Sequence, residues 1–304
     1  MLPAILTSVF FALSGVTGQK TAVRLGSLWG NFIRLFIAVV VLGILVWGFS
    51  PKSIRAEPFS WFFISGMVGF GIGDIALFLA YERIGSRLSI LLNLCLAPVF
   101  ALFLEWLWLG NGVTALTVLA VLVILTGVVM AIRPGAGFRQ RMERHGNFGL
   151  GILAAITAGL GQGSGAVISR KAESIVRVMH MEVDGVSAAF QRVVAGWVIA
   201  GIAVAIVKFL GPRELSGRWR SPFQKGVMPW LLGASLFGPV IGVSFFQWAL
   251  QTRESGVVLA IVSITPIVMM PMAALTEGDH PRKTAVAGAF VAVSGVILLH
   301  VWGG

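Results

Sequence analysis

Of the 304 residues 57% are apolar and only 12% carry a formal charge, whereas soluble domains carry about 25% charged residues. A water-soluble fold of this length could not hide so much apolar surface, and a bilayer can, so the chain reads as an all-α polytopic membrane protein. The net charge of +11 does not mark a nucleic-acid binder, because the 23 Lys and Arg lie mostly in short segments between apolar runs, where they act as topology signals and lipid-headgroup contacts.

A spanning helix needs about 20 mostly apolar residues. The first such run, residues 3–22, lacks the basic start of a secretory signal, which predicts a retained helix. Nine more follow at 28–49, 60–81, 88–108, 113–132, 148–168, 186–209, 227–249, 255–276 and 283–302. Backbone amides in lipid must be satisfied within their own segment, and no alternating polarity suggests a barrel, so ten transmembrane helices are predicted.

A charged side chain inside a span costs about 2.5–3.5 kcal/mol on insertion scales and calls for a reason. Arg34 in the second run and Arg192 in the seventh occupy equivalent places, suited to an anionic group or, since each is near a helix end, to snorkelling. In the third run Asp74 follows Gly69, Gly71 and Gly73 and is a candidate proton carrier; its plain alternative is a partner on a neighbouring helix, Arg34 among them. Asn93 in the fourth run, Gln162 and Ser164 in the sixth and Gln247 in the eighth could line a cavity or bridge helices, and Trp248 and Phe246 could wall it. Glu105, beside Trp106 and Trp108, reads as an interfacial carboxylate. Pro98, Pro266 and above all Gly238-Pro239 should bend or hinge their helices.

The run from Gly159 to Gly165 is a small-residue face for close packing, and Ala285, Gly288, Ala292 and Gly295 form a second one on the tenth run, expected against the fifth or against a second protomer. Cys95 is the only cysteine, and His145, His180, His280 and His300 sit in loops or at helix ends, so no metal site and no cofactor are expected. Neither Gly15–Thr21 nor Gly159–Gly165 meets the pattern of a nucleotide loop.

An internal repeat follows. Pro98 and Pro266 are 168 residues apart, and the same offset pairs Gly110 with Gly278, Asn111 with Asp279, Thr126 with Ser294 and Gly127 with Gly295; it would also pair Asp74 with Gly242. The chain divides into a first five-helix repeat at 1–132, a basic inter-repeat loop at 133–147 and a second repeat at 148–304. Five spans is an odd number, so the second half should insert inverted, the architecture of alternating-access carriers. Fifteen Lys and Arg follow the odd-numbered runs and six the even-numbered ones, which predicts non-cytoplasmic termini.

With ten runs in two halves, the paired prolines, the Gly110-Asn111 and Gly278-Asp279 steps and the closing Gly127 and Gly295, the chain resembles the EamA-like branch of the drug/metabolite transporter superfamily over essentially its whole length. The resemblance implies that helices 1–4 and 6–9 surround a central cavity, with helices 5 and 10 peripheral, and that a small organic metabolite such as an amino acid or a drug-like molecule is moved. Members commonly carry Gly-Glu where this chain has Gly110-Asn111, and they are usually drawn with cytoplasmic termini. The expected function is a secondary active transporter of the inner membrane, an exporter coupled to protons or a counter-substrate, surrounded by membrane lipids and able to form a homodimer through helices 5 and 10. The rivals are a lipid or lipid-linked sugar flippase of the same fold and a membrane-bound transferase, for which no loop supplies a cluster of carboxylates and basic residues.

Overall fold

Lipid offers backbone amides no partners, and among the described residues the chain contains helices and turns but no strand. The structure is a computed structural model that describes residues 2–49, 56–109, 114–132, 148–181, 183–211, 219–252, 255–278 and 281–303. Eight of its helices are long and apolar enough to cross a membrane, and a shorter apolar helix covers Ala115–Ala131. The 133–147 loop and the residues Gly110, Asn111 and Asp279 of the paired steps lie outside the described residues.

Helices α1 (Leu2–Leu25) and α2 (Ser27–Phe49) match the first two predicted runs. Helix α3 (Ala56–Gly66) passes into a π-helical turn, Met67–Gly73, and then into α4 (Asp74–Leu109). The apolar stretch Pro58–Trp108 holds 51 residues, ~76 Å as a straight helix, against a hydrocarbon core of ~30 Å. It is broken at one residue, Gly85, at φ 79° and ψ 170°. A side chain disfavours that φ and glycine does not, so the predicted polar connection at 82–87 is in fact a single-residue break.

Helix α5 (Ala115–Ile132) closes the first half. The second opens with α6 (Phe148–Val178), which runs ten residues past its predicted end and carries Arg170, Lys171 and Arg177 on its last turns. Helix α7 (Gly185–Phe209) is capped by Asp184, whose carboxylate accepts from the amides of Val186 and Ser187. Helix α8 (Met228–Ser235) enters a second π-helical turn, Leu236–Gly242, with Pro239 inside it, followed by α9 (Val243–Thr252). Next come α10 (Ser255–Val262), α11 (Thr265–Glu277) and α12 (Lys283–Gly303).

Two sequence expectations are corrected here. The π turns are the same length and start 169 residues apart, at Met67 and Leu236, so the mate of Asp74 is Val243 and not Gly242; the uniform offset of 168 fails by one residue in this span. The two prolines thought to hinge their helices also differ. Pro98 lies inside α4, whose only non-helical residue is Gly85, whereas Pro266 stands in the first turn of α11, just after the break at Ser263 and Ile264.

The packing exchanges the two halves. Helix α1 lies against α8, the second π turn, α9 and α11, while α6 lies against α3, the first π turn and α4; α2 packs on α7 and α5 on α12. Small residues permit these approaches. On α6 a Cβ at Gly159 would come within 3.1 Å of the Asn93 carbonyl oxygen, and one at Gly161 within 2.8 Å of the Cα of Gly73. On α12 a Cβ at Gly288 would lie 2.6 Å from the Ala131 amide and 2.7 Å from the Gly127 carbonyl oxygen. The stripe of Ala285, Gly288, Ala292 and Gly295 therefore faces α5 within the same chain.

Candidate functional site

Helices α1, α2, α4, α6, α7 and α9 and both π turns converge on a small central cavity of ≈ 50 Å³. Its polar lining is Ser14, Arg34, Asp74, Tyr81, Asn93, Gln162 and Arg192, set among Phe11, Phe70, Leu77, Ile90, Leu94, Gly238, Pro239, Val243 and Phe246. It is a polar spot inside an apolar bundle.

Arg34 comes from α2 and is 4% exposed. It forms an ion pair with Asp74, the first residue after the π turn, and its guanidinium carbon lies 4.7 Å from the centroid of the Phe78 ring. Arg192 comes from α7 and is 2% exposed. It donates from Nη1 to Oε1 of the buried Gln247 at 2.9 Å and stands 5.3 Å from the Phe70 ring centroid. The glycines of the π turns make room for both heads. A Cβ at Gly238 would lie 3.1 Å from Nη1 of Arg34, and one at Gly69 would lie 3.2 Å from Nη2 of Arg192. Each arginine thus rests beside the π turn of the opposite half. Snorkelling, the sequence reading that both positions allowed, is overturned: both side chains turn inward to the cavity.

The other sequence-selected residues divide. Asn93 and Gln162 line the cavity, and Oδ1 of Asn93 is buried without a partner. Gln247 stands behind the lining, holding Arg192. Ser164 is half-buried and not among the lining residues. Trp248 is 50% exposed and belongs to an outer groove with Leu45, Val186, Ile241 and Phe245, away from the central cavity. Gly238 and Pro239 line the cavity; Pro98 and Pro266 do not.

Contacts close the bundle at both ends. At one, Nζ of Lys20 donates to the Thr276 carbonyl, and Glu277 accepts from the hydroxyl of Ser86 and from its amide, the latter at 3.2 Å. At the other, Arg170 pairs with Glu105, and Nε2 of Gln251 donates to the Val183 carbonyl at 2.6 Å. Sequence reading missed Ser14, Tyr81, Ser86 and Glu277. Tyr81 had one signal, since it is the only tyrosine in the chain. No group of three or more His, Cys, Asp or Glu among the described residues is placed to hold a metal ion.

The model of the EamA-like transporter family matches residues 1–133 and again 149–301. A solved crystal structure of a protein aligns with 98% of this chain and 93% of its own length at 16% identity, with a TM-score of 0.63, and so shares the fold. No curated protein matches the chain.

Proposed function

The chain belongs to the EamA-like transporter family, whose model matches it twice, and on that premise we propose that it is a secondary carrier of a small organic metabolite, an exporter of the inner membrane that works by alternating access. The observation that carries this reading is the polar cavity between the two halves, with Arg34, Asp74 and Arg192 lining it and a set of side-chain contacts at each end of the bundle. A polar cavity at the interface of two related halves is where a carrier of this architecture holds its substrate. Opening then consists of releasing one of these latches while the other holds. The π turns lie beside both arginines, and such turns are frequent at functional sites of helices.

We count ten crossings in two inverted repeats: the stretch broken at Gly85 crosses twice and the helix Ala115–Ile132 crosses once. The exchanged packing of the halves, α1 on α8 and α9 as α6 is on α3 and α4, supports a two-fold relation between them. Asp74 is the coupling group in this reading, because it is the only carboxylate among the cavity-lining residues. The test is flux in proteoliposomes of purified protein. Asp74→Asn should retain substrate exchange and lose accumulation driven by a pH gradient, and accumulation at the wild-type level would remove Asp74 from coupling. An absence of flux of every amino acid, amine and organic acid offered to the wild type would refute the carrier reading itself.

A further inference from the structure

Arg34 and Arg192 meet equivalent glycines of the two π turns but different polar partners. Each lies beside the glycine of the opposite π turn, Gly238 for Arg34 and Gly69 for Arg192, and each stands over a phenylalanine ring. Arg34 has a carboxylate, Asp74. The position equivalent to Asp74 in the second half is Val243, which also lines the cavity. Arg192 donates instead to the neutral Gln247 and stands on the Phe70 ring; its Nε, like that of Arg34, has no partner, and no carboxylate among the described residues forms an ion pair with it, Asp74 attracting it only from beyond contact distance.

Counting the ionisable lining side chains, two guanidinium groups share one carboxylate, so the cavity carries one unbalanced positive charge in an apolar bundle. A buried charge without a counter-charge is among the most costly features a protein can hold. An arginine fork pairs best with a planar or tetrahedral oxyanion. We propose that Arg192 is the binding group for an anionic oxygen of the transported molecule, a small carboxylate or phosphate monoanion, with Gln247 as the positioning residue that turns the guanidinium toward the cavity. This deepens the carrier reading and rests on it. The loaded cavity is electrically neutral, with Asp74 balancing Arg34 and the substrate balancing Arg192. Oδ1 of Asn93, a buried acceptor on the cavity wall without a partner, would take a hydroxyl or amine donor on the same molecule.

The test is the melting temperature of the purified full chain titrated with sodium acetate and, separately, with sodium phosphate, against sodium chloride at matched ionic strength, with putrescine and glucose as cationic and neutral arms. Ligands that bind the folded state raise the melting temperature by mass action. A saturable rise with acetate, phosphate or both is expected, and the two titrations separate a carboxylate site from a phosphate site. Arg192→Gln should weaken the response about 10- to 100-fold, the worth of a charge-assisted hydrogen bond, without lowering the melting temperature of the ligand-free protein, since a neutral side chain replaces an unbalanced charge. Arg192→Lys keeps the charge without the fork and should retain a weakened response. A rise that persists unchanged in Arg192→Gln, or no rise with either anion, overturns the assignment. A response to putrescine or glucose alone overturns it too, while leaving the carrier reading intact; that reading fails separately, by the absence of flux in proteoliposomes.

Discussion

Arg34 and Asp74 show how a buried pair differs from a surface one. Exposed ion pairs contribute about 0–1 kcal/mol, but removing one partner of a buried pair leaves the other charge uncompensated and costs about 3–5 kcal/mol. Asp74→Asn leaves the Arg34 guanidinium facing the amide and the Phe78 ring. Its melting temperature should fall clearly, and the double variant Arg34→Gln/Asp74→Asn should recover most of the loss because no charge is then left unpaired. Additive losses in that cycle would mean that the two side chains do not depend on each other. The polar lining was partly legible in sequence: Arg34, Asp74, Asn93, Gln162 and Arg192 stand out because a polar group inside an apolar run needs a reason. What spacing along one run could not give was direction. Arg192 is about two turns into its helix, near enough to an end to snorkel, and only the packing of α7 against the first π turn turns it inward. Phe70 and Phe11 carry no mark that separates a cavity wall from a lipid face, and the half-exposed Trp248 was read to the wrong side for the same reason.

At the scale of elements, the small-residue stripes carry the assembly. On α6, Gly159 faces α4 while Gly161 faces the first π turn, so one helix is clasped from two sides. On α12 the stripe meets backbone atoms of α5, which cannot swing aside as a side chain can. Gly288→Leu should therefore force α5 and α12 apart and destabilise the protein by at least the ~1–3 kcal/mol typical of overpacking, seen as a lower melting temperature and loss of a single peak in size-exclusion chromatography. Phe290→Ala, at a half-exposed position on the outer side of the same helix, should leave both unchanged. A Gly288→Leu protein as stable as the wild type would show that the α5–α12 contact is dispensable. The packing role of the α12 stripe was readable because its spacing of three and four repeats along one helix face, whereas the α6 glycines, two residues apart, face two sides instead of the single face expected. The π turns were not readable: both keep the apolar pattern of an ordinary helix, and an extra residue present in both halves leaves no trace in the spacing between them. The break at Gly85 was mistaken for a polar loop because Arg83 and Arg87 flank it, although a single glycine at positive φ suffices.

For the whole molecule, the contacts sort into two ends, and the sorting bears on orientation. One end joins Lys20, Arg24, Trp29, Ser86, Trp219, Gly226, Trp230, Thr276 and Glu277, through Arg24 donating to the Gly226 carbonyl, Trp29 donating to the Arg220 carbonyl at 3.2 Å and stacking on Trp219, and the Lys20 and Ser86 latches. The other joins Trp61, Glu105, Trp108, Arg170, Glu173, Val183 and Gln251. Every residue of the first group lies near or beyond the end of an odd-numbered run or near or before the start of an even-numbered one, and every residue of the second group does the reverse, as expected if the chain crosses the bilayer at each run. The two tryptophan pairs then stand at opposite interfaces, where aromatic side chains gather. Fifteen Lys and Arg follow odd-numbered runs in the sequence, against six after even-numbered ones, so the Lys20 end of the bundle should face the cytoplasm. With ten crossings both chain termini should lie on the opposite face, since residue 2 begins the first crossing and residue 303 ends an even-numbered one. Alkaline phosphatase fused to the C-terminus should accordingly be active in cells, and green fluorescent protein fused there should be dark. An inactive phosphatase with a bright fluorescent fusion would reverse the orientation. The Lys20–Thr276 and Ser86–Glu277 contacts would then be the outer latch, and the Arg170–Glu105 pair the one that opens to the cytoplasm.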